Sequence, residues 1–122
     1  MKISIAGPKH LTNYKTIKEI IDTVVNQKNI EITEIVSNHT PGTSILSERY
    51  AKEHKIPIVI YETDWNQDTI LSIAKRDNAI ANYIDALILI RSNLMNTNGN
   101  IRIAETMIRK NKVVYGVDTQ GK

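Results

Sequence analysis

A chain of 122 residues with 41% hydrophobic and 24% charged side chains has room for one compact domain with its own core, which excludes a two-domain enzyme, a disordered chain and a collagen-like repeat. Zero cysteines exclude a disulfide framework and a thiolate metal site, and three scattered histidines lack metal-ligand spacing, so neither a metal nor a cofactor is expected. Sixteen basic against 13 acidic residues leave a net charge of +3, an excess that suits an anionic partner but is too small to specify nucleic acid.

Lys2 to Ala6 reads as a short strand ending in Gly7-Pro8, after which Thr12 or Asn13 can cap a helix with Ile17, Ile20, Ile21, Val24 and Val25 on one face. Asn26 to Asn29 is expected to break that helix. Ile32 to Val36 is a β-branched strand, and Ser37 to Ser44 is a polar loop with a Pro-Gly turn signal. A second helix is expected from about Ile45 to His54, with Thr43 or Ser44 as its cap. Ile56 to Ile60 is a buried-type strand that Pro57 steers to a sheet edge. Asp64 and Gln67 fit a helix start, and from Ile70 the positions Ile73, Ala74, Ile80, Ala81 and Ile84 continue at helical spacing. Asp85 introduces the strand Ala86 to Ile90, and Asn93 to Asn100 is an Asn-rich loop. The last helix carries Ile103, Ala104, Met107 and Ile108 on one face, and Val113 to Val117 is the final strand.

Strands alternating with helices, joined by right-handed crossovers, predict an α/β fold: a parallel sheet covered on both faces. With no linker or repeat, residues 1–122 are expected to form a single domain. No apolar run approaches the ~18–20 residues that span a bilayer, and Met1-Lys2 leads into a strand-like run with no signal-peptide core, so a soluble cytoplasmic protein without membrane partners is expected. In such a sheet a ligand binds beyond the carboxyl ends of the strands, where the strand order reverses. The segments that could hold one are therefore Gly7–Thr12, Ser37–Ser44, Glu62–Asn66 and Arg91–Asn100.

Gly7-Pro8-Lys9-His10 sets a glycine where the chain must turn, and a lysine and a histidine just ahead of a helix N-terminus, a place attractive to phosphate. A plainer account has Pro8 shaping an ordinary strand-to-helix turn and Lys9 in solvent. The second loop holds more hydroxyls than a helix cap needs, which favours ligand contacts from Ser37, His39, Thr40, Gly42, Thr43 and Ser44. It is neither a P-loop, which needs a second glycine and a following lysine, nor a nucleophile elbow, which needs flanking glycines. His54 at the far end of the second helix fits a C-terminal cation, and no catalytic residue is assigned. Asp77 falls on the apolar stripe between Ala74 and Ile80, so it needs a partner: Arg76, backbone amides or a ligand donor. Gly99, between Asn98 and Asn100, can take a positive φ and let backbone approach a ligand, or the run is a turn with an Asn cap. Trp65 could stack on a base or anchor its loop to the core.

Taken in order, several short runs resemble one family: Gly7-Pro8-Lys9 and Asn13-Tyr14, then Ser37 and Gly42 in the second loop, then the run Leu46, Glu48, Arg49, Tyr50, Ala51. Ile56-Pro57, Asp64-Trp65, Arg76-Asp77, Ile80, Asp85-Ala86-Leu87-Ile88 and Gly99-Asn100 continue it over nearly the whole chain. This set is similar to the YspA-like branch of the SLOG superfamily, the Rossmann-like group that also includes the LOG hydrolases and the DNA-processing protein DprA. The departures lie in the ligand loops, where Lys9 and Pro41 replace arginines, Asn38 and His39 replace glycines, and Ser44 replaces an acid.

The resemblance implies a Rossmann-like three-layer domain with a five-stranded parallel sheet in the order 3-2-1-4-5 and helices on both faces. It also implies a homo-oligomer and a nucleotide-derived ligand bearing phosphate or ribose, ADP-ribose-like or a cyclic nucleotide. Its contacts would come from Gly7 to His10, the second loop, Arg76, Asp77 and Asn98 to Asn100. Cleavage of an N-glycosidic bond in the manner of LOG is the alternative, with Arg76 stabilising an oxocarbenium-like ribose. The acid expected after the Gly-Thr pair is absent, since Ile101 and Arg102 stand there, and Asp77, expected to be ionised beside Arg76, suits ribose hydroxyls better than proton donation. Binding without cleavage is therefore the expectation. Abundant Ile, Lys and Asn with no Phe fit A- and T-rich codons, hence a low-GC bacterium or its virus, for which a sponge for a host immune signal is the concrete form. DNA binding would need a basic stripe, whereas Lys9, Lys75, Arg76, Arg102, Arg109, Lys110 and Lys112 are spread over several elements and read as solvated surface.

Overall fold

Strand side chains alternate between the two faces of a sheet, so runs of Ile and Val apolar at successive positions need cover on both sides, and amphipathic helices supply it. The computed structural model describes residues 1–63, 69–91 and 98–118, with the side chains of 69 and 98–101 outside that description. The elements are β1 (Lys2–Ala6), α1 (Tyr14–Lys28), β2 (Glu34–Ser37), α2 (Thr43–Glu53), β3 (Ile58–Ile60), α3 (Thr69–Tyr83), β4 (Ala86–Arg91), α4 (Asn98–Arg109) and β5 (Val113–Asp118). The fold is α/β and Rossmann-like: the sheet is all parallel in the order β3-β2-β1-β4-β5, as expected, with Ile3 of β1 in register with Ile35 of β2 and Ala86 of β4.

The period-two alternation separates two cores. Ile3, Ile5, Ile35, Ile88 and Ile90 face α1 and α2, which contribute Ile17, Ile21, Tyr50 and Ala51. Ala6, Val36 and Leu87 face the other way, onto Ile80 and Ile84 of α3 and Ile103 and Met107 of α4. Lys112, ahead of β5, donates from Nζ to the carbonyls of Ala81, Asn82 and Ile84 at 2.9, 2.9 and 2.8 Å, satisfying acceptors that the end of α3 leaves open.

Several boundaries differ from the sequence expectations for local reasons. Asn13 caps α1, its Oδ1 accepting from the N–H groups of Lys15 and Thr16 at 3.0 and 3.4 Å. The helix then runs through residues 26–28, where a break was expected, and stops at Asn29, whose φ of 52° is the left-handed conformation that asparagine tolerates. β2 begins at Glu34 rather than Ile32, because its partner starts at Lys2, opposite Glu34. β3 is shortened to three residues on the sheet edge, the place Pro57 predicts; Pro57 still accepts from Ile35 N at 3.0 Å. α4 begins at Asn98, so Asn98, Gly99 and Asn100 form its first turn instead of a loop; a first turn has no intrahelical acceptors for its N–H groups and tolerates weak helix formers. Among the described residues no helix is long and apolar enough to cross a membrane.

Candidate functional site

The helices that follow β1 and β4 pack on opposite faces of the sheet, so the strand order reverses between these two neighbours. The loop after β1 therefore starts at the crevice where open parallel sheets hold ligands. It is locked to the start of α2. The Pro8 carbonyl accepts from Thr43 Oγ1 at 2.9 Å and from Thr43 N at 3.4 Å. Gly42 lies so close that a Cβ there would stand 2.3 Å from the Lys9 carbonyl oxygen, and a Cβ at Gly7 would stand 2.7 Å from Thr43 Oγ1. Both positions accept only glycine without displacing a neighbour. Lys9 and His10 remain exposed.

The cap of α2 is Gly42, not Thr43 or Ser44. Thr43 is already helical, and its buried hydroxyl closes the joint to Pro8 instead of facing a ligand. With φ 84° and ψ −126°, Gly42 makes the abrupt turn into the helix, and no side chain caps the first turn. Beyond the Thr43 N–H, which donates to the Pro8 carbonyl, a first turn without a side-chain cap keeps its positive partial charge available to an anion.

The loop after β2 is built around a carboxylate. Glu48 Oε2 accepts from Ser37 Oγ at 2.7 Å and lies 2.8 Å from His39 Nδ1, while Ser37 Oγ accepts from the His39 N–H at 3.0 Å. Asn38 Oδ1 accepts from the N–H and hydroxyl of Thr40 at 3.2 and 2.8 Å, and the Thr40 and Ser44 hydroxyls lie 3.3 Å apart. Much of the hydroxyl surplus in this loop is thus committed within it. The hydrogen bond and charge of Glu48 raise the His39 imidazole from its ordinary value, with Glu62 adding to the effect. Glu48 is the residue that candidate-site reasoning missed. Its signal was present: Ser44, Ser47, Glu48 and Ala51, at i, i+3, i+4 and i+7, are all buried, and an acid on an inward stripe needs a partner.

Arg76 and Asp77 converge with residues from two other segments. Asp77 is 1% exposed, and its Oδ1 accepts from Arg76 Nε and Nη2 at 3.1 and 3.0 Å. Arg76 Nη1 donates to Thr63 Oγ1 at 2.7 Å, so a side chain only 9% exposed clamps α3 to the segment after β3. Arg102 Nη1 of α4 stands 4.0 Å from Asp77 Oδ2, which has no hydrogen-bond partner among the described residues. Burial raises the Asp77 carboxyl above the ordinary value, and the charges of Arg76 and Arg102 only partly offset it. Arg76 is one of the three partners that the sequence leaves open for Asp77; the arrival of Arg102, 45% exposed and grouped by sequence with surface cations, is not expected from it.

Asp64, Trp65 and Asn66 lie outside the described residues, as do the side chains of Asn98, Gly99 and Asn100. His54 ends α2, its Nδ1 2.9 Å from the Tyr50 carbonyl and its ring stacked on Tyr50 at 3.9 Å, an end-of-helix role and not that of a triad base. A groove of about 400 Å³ between α1 and β5, lined by Val24, Lys28, Tyr115 and Val117 among others, shares no residue with these loops. Among the described residues no group of three or more His, Asp or Glu could hold a metal ion. The chain matches no protein-family model and no curated protein.

Proposed function

We propose that the protein binds a nucleotide-derived small molecule bearing phosphate and ribose at the carboxyl ends of β1 and β2, without cleaving it. The observation that carries this is the joint between Pro8-Lys9 and Gly42-Thr43. It sets an exposed lysine beside the first turn of α2, which has no side-chain cap, and next to the loop bearing His39, a preorganised cluster of donors at the end of the sheet where such folds take ligands. The motif resemblance to the YspA-like SLOG proteins supports the class of ligand. Asp77 Oδ2, buried with no hydrogen-bond partner among the described residues, suits a ribose hydroxyl.

Binding is preferred over N-glycosidic cleavage because Arg76, the group that would stabilise an oxocarbenium-like ribose, is only 9% exposed and directs three of its five N–H groups to Asp77 and Thr63. In its sharpest form the protein is a cytoplasmic homo-oligomeric sponge of viral origin. It would hold an ADP-ribose-like or cyclic-nucleotide immune signal of the host, a task that needs slow release and no catalytic group. Purified protein incubated with NAD, cyclic ADP-ribose isomers and nucleoside monophosphates is examined by native mass spectrometry. A chemically unchanged nucleotide is expected to stay bound, to be released on denaturation and to be lost in Lys9→Ala. Free base and ribose phosphate accumulating over many turnovers would make the protein a hydrolase instead.

A further inference from the structure

The loop after β2 contains an arrangement that ligand binding by itself does not require. His39 has a φ of 59°, a left-handed conformation that glycine adopts freely and other residues only at a cost, yet a bulky imidazole occupies it. The conformation is held from both ends of the residue: the backbone N–H donates to Ser37 Oγ at 3.0 Å, and Nδ1 meets Glu48 Oε2 at 2.8 Å. Because an ionised carboxylate only accepts, the Glu48 contact places a hydrogen on Nδ1 in either charge state of the ring. Nε2 is then a lone pair when the ring is neutral and a charged N–H donor when it is protonated. The side chain is 48% exposed, and no described residue is bonded to Nε2.

We propose that His39 is a proton-controlled contact for a phosphate oxygen of the ligand, with Glu48 as the positioning residue that aims Nε2 outward. This rests on the reading that a nucleotide-derived anion occupies the loops at the ends of β1 and β2. The charged side chains facing the imidazole are Glu48 from α2 and Glu62 from the segment after β3. With the ring neutral, the loop presents two carboxylates and a lone pair, all of which repel phosphate. Protonation supplies a charge-assisted donor and cancels one of the two negative charges in the same step. Glu48 also keeps the ring protonated to higher pH than a free histidine. The ligand would therefore be held more tightly on the acidic side and released as the pH rises.

ADP-ribose is a suitable probe, because its diphosphate neither gains nor loses a proton between about pH 6 and pH 8; adenosine, which lacks phosphate, is the control. By calorimetry, ADP-ribose is expected to bind the wild-type chain about tenfold or more tightly at the lower pH, the worth of one charge-assisted hydrogen bond. Adenosine should show no such change. His39→Asn tolerates the same φ, removes the charge and should bind ADP-ribose equally at both pH values, at the wild-type level of the higher one. Glu48→Gln should move the loss of affinity to lower pH. In imidazole ¹⁵N spectra, ADP-ribose should shift Nε2 of His39 and raise its midpoint, a response that a merely structural histidine would not give. An equal pH dependence in His39→Asn, or none in the wild-type chain, would overturn the proposal and leave nucleotide binding standing. No binding of ADP-ribose, NAD or AMP at either pH would overturn both.

Discussion

The joint between the first two loops can be tested by adding a single carbon. In Gly42→Ala, the new Cβ would stand 2.3, 2.6 and 2.7 Å from the O, C and Cα atoms of Lys9, all backbone atoms that cannot rotate away. The conformation itself, φ 84° with ψ −126°, costs a residue with a side chain about 1–3 kcal/mol. Relieving the overlap means parting Lys9 from the start of α2, and with it the Thr43 to Pro8 hydrogen bond of 2.9 Å, worth about 1 kcal/mol. The sum is about 2–4 kcal/mol. An unfolding entropy of about 2.1 cal/mol/K per residue makes that a fall in Tm of roughly 8–16 °C for a domain of this size. Gly116→Ala is the matched control: its Cβ would meet only Arg91 side-chain atoms at 3.7 and 3.8 Å, and it should be neutral or stabilising by up to about 1 kcal/mol. Both variants are compared with the parent by calorimetry and urea unfolding. A loss below about 1 kcal/mol in Gly42→Ala, or one no larger than in Gly116→Ala, would refute the joint as the element that organises the site.

Asp77→Ala leaves the Arg76 guanidinium buried without its counter-charge and should cost about 3–5 kcal/mol in urea unfolding. Burial raises the Asp77 carboxyl, so the folded chain holds that proton more tightly than the unfolded one: its stabilising contribution is present at low pH and shrinks as the pH climbs past the ordinary value of 3.8. Asp77→Asn lacks this titration, so its stability relative to the parent should improve from about pH 3 to pH 7; a constant difference would contradict the raised carboxyl. Lys112→Met removes three hydrogen bonds at the end of α3, where about 1–3 kcal/mol of stability and the amide protection around residues 81–84 should be lost together, as hydrogen exchange can read. Tyr14 is pushed up to about 12 by burial and by its hydrogen bond to Glu53. The folded phenol keeps its proton longer than the unfolded one, so the associated stability is present below about pH 10 and lost as the pH rises through 12. An alkaline absorbance titration should lose one late-ionising tyrosine in Tyr14→Phe; an unchanged curve would count against that bond.

Much of the architecture is legible from residues near one another in the chain. The i, i+3, i+4 spacing of Ile17, Ile20 and Ile21 predicts one face of α1, and all three are buried against the sheet. Pro57 predicts an edge strand, and β3 is one, because a residue without an N–H cannot serve a strand paired on both sides. Ser37, His39, Thr40, Gly42 and Ser44 were recognisable as a candidate site because the fold class places that loop at the end of the sheet. Helix periodicity, strand alternation, caps and proline all act through backbone geometry within a few residues, so a linear reading can find them. What the side chains do once there was decided by contacts between distant segments. Pro8 and Thr43 are 35 residues apart, Ser37 and Glu48 are 11, and Arg102 reaches Asp77 from a different helix. These pairings depend on the register of β1 against β2 and on how α3 packs on α4. Only the closed structure could therefore turn Thr43 from a ligand contact into a fastener, commit Arg76 to Asp77 and Thr63, and aim His39 with a glutamate.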